Sequence, residues 1–320
     1  MKKYFLFAAT VLALAACNKD DENLTNGPVE ARISAGVNTP ETRAVNDQWE
    51  QDAIGVMATE AQTSNMEELY KNVKYTTTAN TASAANFTAP KGQGIFFQDA
   101  SETVTFAAYA PYQTSAANAL PGTDGVISGS TADQSTRNKQ KAFDYIYASG
   151  ATASRSNPTV QFQGEENAFA HKMTRLVIIV KTSAQDGFTA GQVKSGTYSL
   201  SGLKHAGTFN VKSGTAAANA EGQTSDDWSL TTNSLRTDGE TEQVTFTSIL
   251  YPQSLESALT FKAVIDGQTY INRKDINPTL AAGTSYSYTI TVKKTGLEVS
   301  GCTITDWTGG KDYSGNAEME

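Results

Sequence analysis

The sequence predicts an all-β fold of two tandem β-sandwiches, on three grounds. Apolar and polar residues alternate with period two in many short segments, most clearly where Tyr286, Tyr288, Ile290 and Val292 interleave with Ser and Thr. That period puts one set of side chains on one face of a strand. Long stripes of period 3.6 are missing, apart from one short helical stretch around Asn65 to Val73. The composition is 39% hydrophobic and 18% charged, with 25 glycines and abundant Thr, Ser, Ala and Asn. It suits strands rich in Thr, Tyr, Val and Phe joined by Gly, Asn and Asp turns. At 320 residues the chain is long enough for two cores.

The first expected strand is Val29 to Val37, where Val29, Ala31, Ile33, Ala35 and Val37 alternate with Glu30, Arg32, Ser34 and Gly36. Pro40 ends it, because proline cannot donate to a ladder. Trp49 to Met57 holds a turn acid, Asp52, and a second short strand, and Val104 to Tyr112 gives another, stopped at Pro111. Residues 113 to 158 are rich in Ser, Thr, Ala, Asn and Gly and read as long loops around one strand-like island, Phe143 to Tyr147. Thr159 to Phe162 and Leu176 to Val180 follow; the second is apolar on both faces and so belongs inside a sheet. Thr197 to Leu203, Ala206 to Val211, Gln243 to Leu250 and Leu259 to Ile265 make a second set, with Asp266-Gly267 as a hairpin signal. Leu297 to Val299 and Cys302 to Ile304 come last, with Gly301 shifting their phase as a bulge does. The expected organisation is 1–16 signal, 17–28 tether, 29–183 first domain and 184–320 second domain. Phe169 to Val180 suits either side of that boundary.

The N-terminus carries an address. Lys2 and Lys3 precede a short apolar run, Phe5 to Ala13, and Leu14-Ala15-Ala16-Cys17 follows. The run is far below the ~20 residues of a spanning helix, so it reads as a secretory signal. Leu-Ala-Ala-Cys resembles a bacterial lipobox with Cys17 as the acylated residue; a plain signal with an incidental cysteine is the alternative. Acyl chains contribute about 0.8 kcal/mol per buried CH₂ and hold a protein on a membrane without a spanning helix. Lys19-Asp20-Asp21-Glu22 resembles the tag that sends lipoproteins to the surface of Bacteroides-type cells, and Asn18 to Gly27 would also serve as a solvated tether. The chain has two cysteines, so with Cys17 lipidated Cys302 has no disulfide partner and is expected as a small buried hydrophobe on a strand.

Catalytic patterns are missing. Two histidines, His171 and His205, stand without metal-ligand spacing, and no nucleophile elbow or phosphate-binding glycine loop occurs. Lys91-Gly92-Gln93-Gly94 lacks a third glycine and the context it would need. Among 33 carboxylates none forms a distinctive pair, and Glu67-Glu68, Glu165-Glu166 and Asp226-Asp227 read as solvated surface. The expectation is a non-enzyme with no cofactor and no metal. A net charge of −8 without a Lys/Arg cluster argues against nucleic acid as a partner.

Several blocks resemble the fimbrillin family of lipoprotein-derived pilins. They are Thr42-Arg43-Ala44 with Trp49 and Asp52-x-Ile54-Gly55-Val56; Phe106-x-x-Tyr109-x-Pro111-Tyr112; and Phe169-x-His171-x-x-x-x-Leu176. Gly202-Leu203 with Gly207-x-Phe209, Tyr251-Pro252-Gln253, Ala282-Gly283-x-x-Tyr286-x-Tyr288 and Gly296-Leu297-x-Val299 through Ile304-x-x-Trp307 continue in the same order.

The resemblance implies two tandem sandwiches of the transthyretin-like, Greek-key kind. It implies an outer-membrane lipoprotein exposed at the surface, then a subunit of adhesive fimbriae whose partners are other fimbrial subunits and host or bacterial receptors. In such pilins a trypsin-like protease cuts after an N-terminal arginine, removing anchor and first strand, and a strand of the next subunit fills the groove. By that resemblance the cut falls after Arg43, with Arg32 as the rival. The removed strand carries Val29, Ala31, Ile33, Ala35 and Val37, and the candidate donor carries Leu297, Val299, Cys302 and Ile304. The other readings are a tip or anchor subunit, or a surface glycan-binding lipoprotein of a nutrient-uptake system. His171 is expected as a packed histidine at a strand entry rather than a ligand or base. Trp49 and Trp307 are expected as packing at sandwich edges, the alternative being exposed rings that stack on sugars.

Overall fold

The computed structural model describes residues 27–36, 49–99, 101–185, 187–239 and 243–307. Within them the chain is nearly all β, and none of its helices exceeds six residues. The expected helix near Asn65 is the single turn Met66–Leu69.

The first core lies between two sheets. One has the order Ala170–His171, Ile146–Ser154, Thr103–Ala110, Ala53–Glu60, Val73–Thr76; the other has Thr159–Phe162, Arg32–Gly36, Ala84–Phe87. Period two decides how the central strand Thr103–Ala110 is shared. Val104, Phe106, Ala108 and Ala110 enter the first core, while Ala107 and Tyr109 point to the opposite face and enter a separate cluster. Ile146–Ser154 occupies part of the stretch expected as loop. Its Ala, Ser and Gly residues carry almost no apolar alternation, and it is a strand because Thr103–Ala110 pairs along its length.

The second core is built the same way. Its five-stranded sheet runs Leu235–Asp238, Gln243–Leu250, Thr174–Thr182, Thr284–Lys293, Gly296–Asp306, and its four-stranded sheet runs Trp228–Ser229, Thr197–Ser201, Leu259–Ile265, Gln268–Ile276. Thr174–Thr182 sits in the middle, as its two apolar faces predict. Asp266 and Gly267 both have positive φ, 51° and 75°, which is the turn that matches the twist of a two-residue hairpin. The change of core falls between Phe169, in the first, and Leu176, in the second. Thr174–Thr182, a stretch that suited either side of the expected boundary, packs and pairs with the second core.

A third cluster joins the two. Met57, Tyr109, Tyr145 and Tyr147 from the first half pack against Phe209, Val211, Ile249 and Tyr251 from the second, with Tyr145 and Phe209 stacked at 4.4 Å. Val126–Ser130 pairs with Ala206–Asn210 along five residues. Buried Gln134 works as one residue of strand: its Oε1 accepts from the Ile249 N–H at 2.7 Å and its Nε2 donates to the Ile249 carbonyl at 3.0 Å. Both histidines lie at this junction. His205 Nδ1 lies 3.1 Å from Thr131 Oγ1, and burial lowers its pKa to about 4. His171 Nδ1 lies 2.9 Å from Asp144 and its ring stacks on Trp307 at 3.9 Å. His171 is thus a packed histidine on a strand.

Candidate functional site: the leading-strand groove

The expected strand from Val29 to Val37 is interrupted. Val29–Glu30 pairs with Phe96–Phe97, Ala31 N–H donates to the Ile95 carbonyl at 2.8 Å, and only then does Arg32–Gly36, the leading strand, enter the three-stranded sheet. Alternation runs through the break without a slip, so the sequence carries no sign of it. Within the sheet the leading strand is central. It runs parallel to Thr159–Phe162, with Ile33 beside Val160 and Ala35 beside Phe162. It runs antiparallel to Ala84–Phe87, with Ile33 beside Phe87 and Ala35 beside Ala85. Ala31, Ile33 and Ala35 are 4%, 2% and 0% exposed.

The two ends of this groove differ. At the Ala35 end four aromatic rings close in. Trp49 packs edge-on against Phe87 at 4.9 Å and Phe169 at 5.2 Å, and Phe162 meets Phe169 at 5.8 Å. Each ring is fixed to the strand: Trp49 Nε1 donates to the Ala35 carbonyl at 3.1 Å, Phe169 N–H donates to the Gly36 carbonyl at 3.2 Å, and Phe162 and Phe87 are ladder neighbours. At the Ala31 end a half-open cavity of about 660 Å³ runs along the strand, bordered by Ala31, Ile33, Tyr75, Phe87 and Thr88. The strip Ile95–Phe97 is held from its far side by two tyrosines. Tyr75 Oη accepts from the Ile95 N–H at 2.9 Å, and Tyr70 Oη accepts from Phe96 N–H at 3.1 Å and donates to its carbonyl at 3.2 Å. Burial raises the Tyr75 phenol well above its usual range, so it stays a neutral donor and acceptor.

The other candidate segment, Gly296–Asp306, is the trailing strand. It forms the edge of the second core's five-stranded sheet and, among the described residues, pairs only with Thr284–Lys293. None of its side chains is buried; Leu297, Val299 and Cys302 are partly covered by the second core, and Ile304 is 42% exposed. The ladder shifts opposite Tyr288, where Gly301 and Cys302 face one residue, which is the expected bulge. Partial burial raises the Cys302 thiol pKa. Just beyond, Trp307 is 1% exposed, and Arg175 lies 5.7 Å from its ring. Trp49 and Trp307 are both interior residues, so neither offers a face to a sugar.

A family model described as fimbrillin-like matches residues 42–307. The chain belongs to the fimbrillin-like family. A Bacteroides uniformis protein named "Putative fimbrium subunit Fim1C" is 34% identical over 99% of this chain and all of its own length. Two crystal structures titled as putative cell adhesion proteins share the architecture. One from Bacteroides ovatus has 25% identity and a TM-score of 0.71 over 88% of this chain and 99% of its own. One from Bacteroides uniformis has 28% identity and a TM-score of 0.65 over 89% and 100%. In this fimbrillin-like chain Cys17, Val37 and Arg43 lie outside the described residues. Val29, Ala31, Ile33 and Ala35 border the groove, while Leu297, Val299, Cys302 and Ile304 lie on the trailing strand of the other core. Sequence reasoning did not reach the part played by Trp49; a tryptophan a few residues past a candidate cut was its only trace.

Proposed function

We propose that this chain is a structural subunit of cell-surface fimbriae, held first by a lipid on Cys17 and joined to its neighbours by strand exchange once cleavage after Arg43 releases the leading segment. One observation carries the reading. The leading strand fills the middle of a sheet and buries Ala31, Ile33 and Ala35, yet it precedes Arg43 in the chain, so one cut detaches it. Its departure would leave Thr159–Phe162 and Ala84–Phe87 with unpaired main-chain groups facing an apolar slot, which an extended strand of another subunit can enter. The name of the Bacteroides uniformis relative supports the fimbrial setting.

Precursor, trypsin product and Arg43→Ala should be compared on sizing columns. The precursor and Arg43→Ala stay monomeric, and the cut protein forms an open-ended series of oligomers. A cut protein that stays monomeric at high concentration sinks the polymerising role. Cys17→Ala should abolish palmitate labelling. A tip or anchor role is favoured by a different observation: Trp307, 1% exposed and stacked on His171, pins the end of the trailing strand, which suits a subunit that accepts a strand without giving one.

A further inference from the structure

We infer that the outward face of the second core's five-stranded sheet is a two-fold contact between copies of this chain, too small to hold a free pair and effective only where many copies stand side by side. This goes beyond the strand-exchange reading and does not rest on it.

Thr174–Thr182 is apolar on both sides, and its own subunit accounts for one of them. Leu176, Ile178 and Val180 enter the second core, whereas Val177 and Ile179 point away from it, are half-buried, and belong to none of the three apolar clusters. In the first half the same arrangement has its cover in place. Ala107 and Tyr109, on the outward face of Thr103–Ala110, are buried in the cluster that holds Phe209 and Tyr251 of the second half. A strand that is apolar on both sides belongs between two layers, and among the described residues no apolar cluster covers Val177 and Ile179.

The surroundings of that pair point to what covers it. The register places Thr247, Val177 and Ser287 side by side in one row, and Thr245, Ile179 and Thr289 in the next. Both rows continue onto the outer strands without a charged residue. The chain has a net charge of −8, so copies repel one another except where they meet on uncharged surface, and depletion of charge marks the centre of an interface. Side chains standing out from one sheet pack against those of another sheet about 10 Å away, so the same face of a second copy is a matching cover.

Charges at one end of the face set the axis. Lys181, Thr291 and Glu298 lie abreast on three adjacent strands, and Lys181 and Glu298 are exposed. A two-fold axis along Thr284–Lys293 exchanges the strands on its two sides. It lays Lys181 of each copy over Glu298 of the other, and Ile179 and Val177 over Ser300 and Thr303. Each contact then occurs twice, as two-fold symmetry requires. Glu298 also binds Lys293, which neutralises the lysine nearest the axis. An axis along Thr174–Thr182 would set Lys181 on Lys181 instead. Three strands about 4.8 Å apart and three rows about 6.8 Å apart cover about 300 Å² per copy. The pair buries about 600 Å², roughly half of what a stable pair needs. Free molecules therefore stay monomeric, and the contact acts through multivalency, between neighbouring fimbriae or across a crowded cell surface.

The test displays the chain from Asn18, tagged at its N-terminus, on nickel-chelating lipid vesicles and follows vesicle clustering by turbidity. No cleavage is involved, so the outcome is independent of strand exchange, which the sizing-column comparison judges separately. The parent should cluster vesicles while running as a monomer in solution. Ile179→Ser, which leaves the core side of the strand untouched, should slow clustering about ten-fold. Lys181→Glu and Glu298→Lys should each fail to cluster alone, because like charges then meet at both pairs. Two vesicle populations carrying one variant each should cluster when mixed, because both pairs are restored across the contact. Both variants keep a negative net charge, so general attraction between them does not give this result. Each variant should retain the parent's circular dichroism spectrum. The inference is overturned if the parent leaves vesicles dispersed, if Ile179→Ser clusters them like the parent, or if the mixed charge variants stay apart. It is also overturned if clustering appears only after truncation behind Trp307, which would make residues 308–320 the cover.

Discussion

The leading strand and the trailing strand are similar in sequence and opposite in circumstance. Ile33-Ser34-Ala35 and Val299-Ser300-Gly301 have the same plan, a branched aliphatic residue, a serine and a small residue. The first is clamped between two strands with its apolar face buried; the second hangs on one strand with its side chains largely in water. What separates them is the number of neighbours, not propensity. A strand in a sheet interior is held by side-chain burial together with two ladders, whereas an edge strand relies on one ladder and contributes little apolar area.

The comparison is broken most directly at Ile33. Ile33→Ala removes buried methyl and methylene groups next to Val160 and Phe87 and should lower the unfolding free energy by about 2–5 kcal/mol in urea titrations. A loss below about 1 kcal/mol would mean the leading strand is not packed as described. The next effect lies at the junction between the two strands' domains. His205 is buried against Trp228 and Thr131, and its pKa is lowered from the ordinary 6.5 to about 4, chiefly by burial. Between those values the unfolded chain binds the extra proton, so this contribution is complete above pH 6.5 and fades as pH falls toward 4. It is of order 3 kcal/mol. Unfolding curves from pH 7.5 to 4 should show this slope, and His205→Gln should flatten it; equal slopes in both proteins would reject the assignment.

Trp49→Phe keeps a ring in the aromatic end of the groove but removes the bond to the Ala35 carbonyl, for an expected loss of about 1–2 kcal/mol. Native-state hydrogen exchange should localise the effect, with Gly36 and Ala35 amides less protected while those of Leu259–Ile265 are unchanged. The smallest effect is at the trailing strand. Ile304→Ala, at a residue 42% exposed, should change stability by no more than about 0.5 kcal/mol. A loss comparable to that of Ile33→Ala would show that the edge is as firmly held as the interior.

The all-β class was legible because alternation at Tyr286 to Val292 reflects burial directly. Gln243–Leu250 and Leu259–Ile265 could be read to the residue, since Pro252 and the Asp266-Gly267 turn mark where pairing must stop. Ile146–Ser154 was hidden, because a strand made of Ala, Ser, Gly and Thr owes its state to its neighbour rather than to its own pattern. The change of core was hidden for a related reason. Residues 169 to 176 pass from one core to the other without a proline or glycine, and a strand that changes core keeps the same period. At the groove, the buried set Ala31, Ile33 and Ala35 followed from period two, whereas the ring closure by Trp49, Phe87, Phe162 and Phe169 comes from four separate segments. Nothing local in any one of them announces the others.

The crossing of the halves at Val126–Ser130 and Ala206–Asn210 bears on how such a molecule carries load. A force drawing the two cores apart along those strands meets all five paired residues at once, and with them the two bonds between Gln134 and Ile249. Bonds loaded side by side share the tension and must fail together, unlike a hairpin pulled open from its end, which loses them one at a time. For a pull directed along those strands the junction is therefore a shear joint rather than a hinge.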